Sequence, residues 1–314
     1  MSYRFDEVTG EWVLMAPLRR GLPMDAKVRG DREGPGPSPS CPFCPGNEAS
    51  TEVTLAECRD EQGLWQVRTV RNRYPSVTTE AGTGEHEVVI EAREHTLELA
   101  DMPAAHARRV FGMYRDRVRE LEARAGIAGV YAFRNRGWRA GSSQSHPHGQ
   151  VVATQVLSSD AERRALRARE HARARGQGML RSIVARERTD VDRVVYDDAD
   201  AVVFCPFASH RAFETWIVPH GAGARFAEAD DAVLDTLARV VPEALRRLRA
   251  VTGDAAYNVL FRGAPVGEEA RMAEWYVEIA PRTGGGAGFE LQTGIDVVPT
   301  LPEVAAAELR EAVT

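Results

Sequence analysis

Chemistry in this chain concentrates at His146-Pro147-His148-Gly149-Gln150, within the stretch GSSQSHPHGQVVAT that runs from Gly141 to Thr154. The chain has eight histidines, and two of them stand one residue apart here. In an extended backbone successive side chains alternate between faces, so His146, His148 and Gln150 point to one side. A neutral imidazole at His148 can attack phosphorus and form a phosphoramidate that a second nucleophile then breaks. That chemistry requires the other ring nitrogen to be protonated and held, commonly by a backbone carbonyl. It also requires donors for the charge that develops on the phosphoryl oxygens. Gln150 is placed to be one, and Gly141, Ser142 and Ser143 offer backbone N–H groups and hydroxyls. A lone histidine usually serves structure; three nitrogen-bearing side chains on one face argue for a reaction centre.

Four cysteines are present: Cys41, Cys44, Cys58 and Cys205. Cys41 and Cys44 have the spacing that lets two thiolates share one ion, and a structural zinc site needs four nitrogen or sulfur ligands. With no second CxxC nearby, the remaining ligands must come from far along the chain. His95 and His146 are the best candidates. Such a site would tie an N-terminal loop to the strand that carries His148. The alternative is a reduced, unligated pair in a Pro-rich turn.

The elements that must position these residues can be read from periodicity. Gly30 to Pro45 is rich in Gly, Pro and Ser and reads as a loop. Glu87 to Ala92 alternates as a strand. A helix opens after Asp101-Met102-Pro103, with Asp101 as its cap and Pro103 in its first turn, carries Val110, Tyr114, Val118 and Leu121, and stops near Gly126. GVYAFRNRG and the histidine motif follow as two strands. The same order recurs in the second half: RAFETWIVPH as a strand ending at His220, then a helix with Leu234, Leu237, Val241 and Leu248 on one side and a bend near Pro242. AYNVLFRGAP and AEWYVEIAPR complete the repeat as strands. Glu87-Val88-Val89-Ile90 matches Glu214-Thr215-Trp216-Ile217, and FRNRG matches LFRGA. Glu274, Tyr276 and Glu278 fall in the slots of His146, His148 and Gln150. The chain thus reads as a divergent duplication of one strand–helix–strand–strand unit, with one reaction centre. The expected class is α+β: two halves, 1–178 and 179–314, each an antiparallel sheet with a packed helix, the second lacking the histidines. Ser158 to Asp190, between them, reads as an arginine-rich, solvated helix capped at Ser159 or Asp160.

A net charge of −6 over 314 residues argues against a general nucleic-acid binder. Hydrophobic and charged shares of 43% and 27% are those of an ordinary globular protein. No apolar run approaches a membrane span, and MSYRFDEVTG lacks a secretory signature, so the expected location is cytoplasmic. Lys27 is the only lysine, so no other step can rest on one.

HPHGQ, preceded by FRNRGWRAGSSQS, resembles the active-site segment of the galactose-1-phosphate uridylyltransferase family, in the histidine-triad superfamily. Further similar stretches are DEVTGEWVLMAPLRR, CPFCPGNE, VRNRYPSV, GEHEVVIEAREH, VVFCPFASHRAFETWIVP and GFELQTGIDVVPTLPEVAAAELRE. Their order covers nearly the whole chain. The resemblance implies ping-pong transfer of a nucleoside monophosphate through His148, between a nucleoside diphosphate sugar and a sugar 1-phosphate, in carbohydrate (galactose) metabolism. It implies structural zinc at Cys41, Cys44, His95 and His146. It implies nucleotide contacts from Asn72 and Asn135 and phosphate contacts from Ser143 and Gln150. It also implies that the two sheets join into a half-barrel and that the protein is a homodimer.

The chain departs from the family pattern at several places. Relatives often carry a histidine pair where Glu274-Trp275-Tyr276 stands and another histidine at Arg262, which argues against a second metal. A lysine often precedes GFE; this chain reads TGGGAGFE, and Arg282 is the charge available in its place, with Glu290 and Gln292 as hexose contacts. The leading expectation is a UDP-glucose:hexose-1-phosphate uridylyltransferase type. A close alternative uses an ADP- or other NDP-sugar, with inorganic phosphate as acceptor. A nucleotide hydrolase fits less well, because hydrolases of the superfamily carry a third histidine where Gln150 stands. The intact HPHGQ argues against a purely binding role.

Overall fold

The computed structural model describes residues 1–20, 39–221, 224–267, 274–284 and 286–312. Lys27, the first part of the Gly- and Pro-rich loop and Gly285 lie outside the described residues. In chain order come β1 (Ser2–Phe5), β2 (Trp12–Met15), β3 (Thr54–Arg59), β4 (Trp65–Arg71) and β5 (Gly84–Ile90). Next are α1 (Ala104–Glu122), β6 (Gly129–Arg136), β7 (His148–Thr154), α2 (Ser159–Arg175) and α3 (Met179–Thr189). The second half holds β8 (Val194–Asp197), β9 (Ala201–Phe204), β10 (Thr215–Pro219), α4 (Asp231–Thr252), β11 (Tyr257–Arg262) and β12 (Tyr276–Pro281). Last come α5 (Gly288–Thr293), β13 (Asp296–Val298) and α6 (Pro302–Glu311).

Ten strands form one antiparallel sheet in the order β3-β4-β5-β7-β6-β11-β12-β10-β9-β8, and β1-β2-β13 form a small second sheet. The fold is the expected α+β class, with two five-stranded blocks joined along β6 and β11. Outward from that seam both blocks run through equivalent strands, β6-β7-β5-β4-β3 and β11-β12-β10-β9-β8. Gln150 faces Phe133 as Glu278 faces Leu260, and Phe133 in turn faces Leu260. A residue paired with its own counterpart marks an internal two-fold axis at Phe133–Leu260.

That register corrects one match read from the sequence. Gln150 faces Val88 and Glu278 faces Trp216, so Val88 corresponds to Trp216 and His86, not Glu87, corresponds to Glu214. A one-residue slip turns a side chain to the opposite face. Glu87 points at α1, where it accepts from Arg117 Nε at 2.7 Å, whereas Glu214 accepts from Trp216 Nε1 at 2.9 Å on the other face.

Helix boundaries follow capping chemistry. Pro103 is the N-cap residue of α1 and contributes no side-chain bond; Asp101 lies in a preceding 3-10 turn and instead pairs with Arg249 on α4 at 2.7 Å. Asp230 caps α4 through Val233 N at 2.9 Å, and the helix continues through Pro242. The linker cap is Ser158, which accepts from Ala161 N at 3.2 Å; its extended backbone suits an N-cap, while Ser159 and Asp160 are already helical. The linker is two helices, because Gly176 takes a left-handed φ of 72° and ends the first.

α1 and α4 pack together on one face of the large sheet and bury Val110, Phe111, Tyr114, Leu234, Leu237 and Val241 against Val89, Val151, Val259 and Ile279. The opposite face differs between blocks. Across the second, Met179, Leu180 and Ile183 of α3 pack on Val202, Phe204, Trp216, Val218 and Tyr276. Across the first, among the described residues, there is a small cluster of Trp65, Val70, Val88 and Ile90, with Phe43 against it. His148 and Gln150 lie on that less covered face. Among the described residues, no helix is long and apolar enough to cross a membrane.

Candidate active site and metal centre

The four expected ligands meet. Donor atoms of Cys41, Cys44, His95 and His146 all lie within 4.8 Å of one another, and all four residues are buried. Cys44 Sγ is 3.2 Å from His95 Nδ1 and 3.6 Å from His146 Nδ1; Cys41 Sγ is 3.7 Å from the latter. Tetrahedral zinc with ordinary Zn–S and Zn–N bonds requires S···N separations of roughly 3.5 Å. The outer nitrogens are oriented as metal sites require: His146 Nε2 donates to Ala92 O at 2.8 Å and His95 Nε2 meets Ser145 Oγ at 3.0 Å. Burial lowers the His146 imidazole to about 4, which keeps it in the neutral, ligating form. Asn47 donates to Cys41 O at 2.7 Å and closes the turn. The donor set fits a structural ion of zinc type, and Cys41, Cys44, His95 and His146 would hold it.

The same backbone carries the next histidine. His146 O accepts from His148 Nδ1 at 2.8 Å. A carbonyl only accepts, so Nδ1 is the protonated nitrogen and Nε2 bears the lone pair. Burial also lowers the His148 pKa, against the raising effect of that bond. The ring is 7% exposed and lies 5.3 Å from the ring of Phe43. It borders a cleft of ≈ 190 Å³ whose lining includes Glu98, Arg134, Asn135, Ser142 and Ser143. Gly141, at φ 89°, turns the chain into the serine segment, where Ser142 Oγ donates to Gln144 O at 2.7 Å. A neutral nitrogen beside hydroxyls and arginines is an arrangement able to attack a phosphoryl group.

Gln150 is held by a residue that sequence reasoning passed over. His86 Nδ1 accepts from Ser76 N at 3.0 Å, which puts the proton on Nε2, and Nε2 lies 2.7 Å from Gln150 Oε1. That bond leaves the Gln150 NH2 as its donor end. Asn72 Nδ2 lies 3.0 Å from the same imidazole nitrogen, so Asn72, His86 and Gln150 form one cluster. The alternation of GEHEVVI places His86 beside Val88 and Ile90, but only the pairing of β5 with β7 sets it diagonal to Gln150.

Asn135 is braced from the other half. Its Oδ1 accepts from Asn258 Nδ2 at 2.8 Å, and the same amide donates to Ala140 O at 2.9 Å. Arg282 Nε donates to Asn258 Oδ1 at 2.7 Å, so Arg282 reaches the cleft only through Asn258. Glu290 and Gln292 are not brought to this cleft; they sit on the outer helix α5, where Glu290 accepts from Ala287 N at 3.0 Å.

Beneath β7, Gly149 presses against Tyr114: a Cβ there would stand 1.7 Å from Tyr114 Oη and 2.8 Å from Phe133 O. Tyr114 donates to Glu91 at 2.8 Å, and Glu91 accepts from Arg134 Nε at 2.7 Å. Arg134 also pairs with Glu98 at the cleft wall. This buried network supports the strand from below and was not legible from motif spacing.

In the second half the corresponding positions are occupied by the protein's own bonds. Glu274 accepts from Leu180 N at 2.6 Å and Arg181 N at 3.1 Å, capping α3. Tyr276 OH accepts from Arg164 at 3.0 Å, and Arg262 Nε donates to Glu278 at 2.7 Å. Among the described residues, Cys41, Cys44, His95 and His146 are the one group with metal-binding geometry.

A family profile described as galactose-1-phosphate uridyl transferase, N-terminal domain, matches residues 1–158. The ADP-glucose phosphorylase of Arabidopsis thaliana is 28% identical over 98% of this chain and 92% of its own length. The galactose-1-phosphate uridylyltransferase of Streptomyces lividans is 29% identical over 74% of this chain and 64% of its own. Among solved structures, the Arabidopsis thaliana ADP-glucose phosphorylase with bound ADP-glucose aligns with a TM-score of 0.88 at 26% identity, covering 99% of this chain and 98% of that one. A uridylyltransferase structure aligns with a TM-score of 0.77 at 25% identity, covering the same shares.

Proposed function

Since the chain belongs to the galactose-1-phosphate uridyl transferase family and is a nucleotidyltransferase of that fold, we propose that His148 carries a nucleoside monophosphate between an NDP-sugar and a phosphate acceptor. His148 Nε2 attacks the α-phosphorus, a nitrogen–phosphorus bond forms, and the bond from that phosphorus to the β-phosphate oxygen breaks, releasing sugar 1-phosphate. The Nδ1 proton stays on the ring and donates to His146 O, which stabilises the positive charge the ring acquires. An acceptor phosphate oxygen then attacks the same phosphorus and frees His148. Ser143 and the Gln150 amide donate to the phosphoryl oxygens, while Ser142, whose hydroxyl donates to Gln144 O and whose N–H donates to Gly137 O, shapes the turn that presents them; Asn72 and Asn135 contact the nucleotide. Cys41, Cys44, His95 and His146 would hold a structural zinc, which would fix the backbone on which His148 stands.

The donor we assign is an ADP-sugar with inorganic phosphate as acceptor, which yields ADP and sugar 1-phosphate. Full-length similarity to the ADP-glucose phosphorylase supports this choice over the UDP-glucose type first expected. The second reading, uridylyl transfer between UDP-glucose and a hexose 1-phosphate, is favoured by the family profile and the uridylyltransferase relatives. In this reading residues 1–178 form the reacting half and 179–314 its altered copy, the protein works in the cytoplasm as a homodimer, and Arg282 braces Asn258.

The observation that carries the proposal is the orientation of His148, with its Nδ1 proton engaged and its lone pair left for phosphorus. Intact mass after incubation with ADP-glucose and with UDP-glucose, kept neutral to alkaline, tests it. An adenylyl adduct with the first donor and none with the second supports the assignment. A uridylyl adduct alone selects the second reading, and no adduct with any donor removes the covalent mechanism.

A further inference from the structure

The internal two-fold axis at Phe133–Leu260 carries the cleft at His148 onto a second cavity. Glu98 and Arg225 are the residues that precede equivalent 3-10 turns before α1 and α4. The strand register equates Arg134 with Phe261, Asn135 with Arg262, Arg136 with Gly263 and His148 with Tyr276. The first of each pair lines the cleft at His148, and the second lines a separate cavity of ≈ 490 Å³. That volume lies within the range of small-molecule pockets, and the cavity is larger than the cleft at His148. It opens where β6 and β11 diverge beyond Phe133 and Leu260, and α2 forms a further wall through Ala161, Ala165 and Ala168.

Building on the assignment of the first cleft to a nucleotide, we infer that this second cavity binds a nucleoside monophosphate without reacting with it. The apolar wall, with Leu157, Ala161, Ala165, Phe226 and Phe261, suits a base and ribose face. Arginines stand where the first cleft has Asn135 and Glu98: Arg262 and Arg225. Arg164 adds a third, engaging Asp160 through Nε at 2.8 Å and Tyr276 through one terminal nitrogen at 3.0 Å, so its other terminal nitrogen can meet a phosphate oxygen. No covalent step can follow. Tyr276 replaces the nucleophile, its hydroxyl is bound to Arg164, and burial pushes the phenol well above its ordinary pKa. The acidic groups around the site are themselves engaged: Glu278 with Arg262, Asp160 with Arg164, Glu122 with Arg225 at 3.3 Å, and Glu274 with the start of α3.

The test is AMP binding by equilibrium dialysis to protein whose His148 already carries its nucleotide, so that the first cleft is filled. One further AMP per chain is expected. Ala165→Trp, which projects into the cavity from α2, should weaken that binding by about tenfold or more while leaving adduct formation unchanged. Ala161→Phe repeats the test from the next position on the same wall if the first variant does not fold. No AMP bound to the adduct-bearing protein, or binding unaffected in a folded cavity-filled variant, overturns the inference. Failure of the first-cleft assignment reads out differently, as absence of any adduct. The second site is then measured in His148→Ala as the share of AMP binding that Ala165→Trp removes.

Discussion

The two blocks of the large sheet share strand order and register, yet among the described residues only one carries the histidines of the candidate site. On the first, His86, His148 and Gln150 share a face beside Phe43 and the Cys41, Cys44, His95 and His146 cluster. On the second, Glu214, Tyr276 and Glu278 hold the same places, and α3 covers the aromatic surface of Trp216 and Phe204. The support beneath the strands differs as well. Gly149 and Arg134 in the first block rest on a buried network of Tyr114, Glu91 and Glu98; their counterparts Val277 and Phe261 belong to an apolar core with Phe226 and Trp275. A duplicated scaffold thus keeps its backbone while one copy retains polar supports for function and the other converts them to packing. Burying charge costs stability unless each group is paired, and in the first block Arg134 is paired with both Glu91 and Glu98.

The sharpest way to break this comparison is to remove the group that distinguishes the blocks. His148→Ala should lower transfer by about 10⁴-fold or more, with metal content and melting temperature unchanged. Loss of the metal in that variant would mean that the roles of His146 and His148 are exchanged. Cys41→Ser should reduce bound metal from one ion per chain to near none and lower the melting temperature by about 10 °C or more, as elemental analysis and calorimetry would read. Equal stability with and without metal would argue that the cluster is not structural.

Arg134→Met tests the support. It leaves Glu91 buried without its cation and Glu98 with Arg136 alone, at 3.7 Å, and urea unfolding should show a loss of about 3–5 kcal/mol. Phe261→Met, at the equivalent position, should cost under about 2 kcal/mol. Gly149→Ala should destabilise by about 1–3 kcal/mol and lower transfer by about 10²-fold, because the added methyl must displace β7 from Tyr114 and shift His148 with it. Unchanged kinetics in Gly149→Ala would mean that Tyr114 moves instead of the strand.

The smallest effect concerns a pair of contacts between the second block and the small sheet. His210 lies between Asp296 at 2.8 Å and Asp6 at 3.1 Å and joins the small sheet to the segment before β10. Burial lowers its pKa, but the bonds to Asp296 and Asp6, with Glu214 nearby, outweigh burial and raise it to about 10. The raised value means that the folded state holds the proton more tightly than the unfolded chain, whose histidine titrates near 6.5. This stabilisation is therefore complete below that value and is lost as pH rises towards about 10. Unfolding measured across that window should show the decline in the native protein and a flatter profile in His210→Gln.

Much of this was legible in the chain itself. The spacing of Cys41 and Cys44, the alternation of His146, His148 and Gln150, and the repeat of strand and helix patterns are local features that short-range geometry makes readable. Other features were not, because they depend on which strands become neighbours. His86 joins Gln150 only through the β5–β7 register, Asn258 meets Asn135 only across the seam, and the Glu87–Glu214 match failed because one residue of slip exchanges the two faces of a strand. Ser158, rather than Ser159 or Asp160, became the cap because backbone angles, not residue type alone, decide where a helix begins. Sequence by itself determined which groups could do chemistry and the elements that carry them. Tertiary structure decided which of those groups share a cleft, which lie under α3, and which, like Glu290 and Gln292, stay outside: proximity across a sheet is a property of pairing, and no local pattern encodes it.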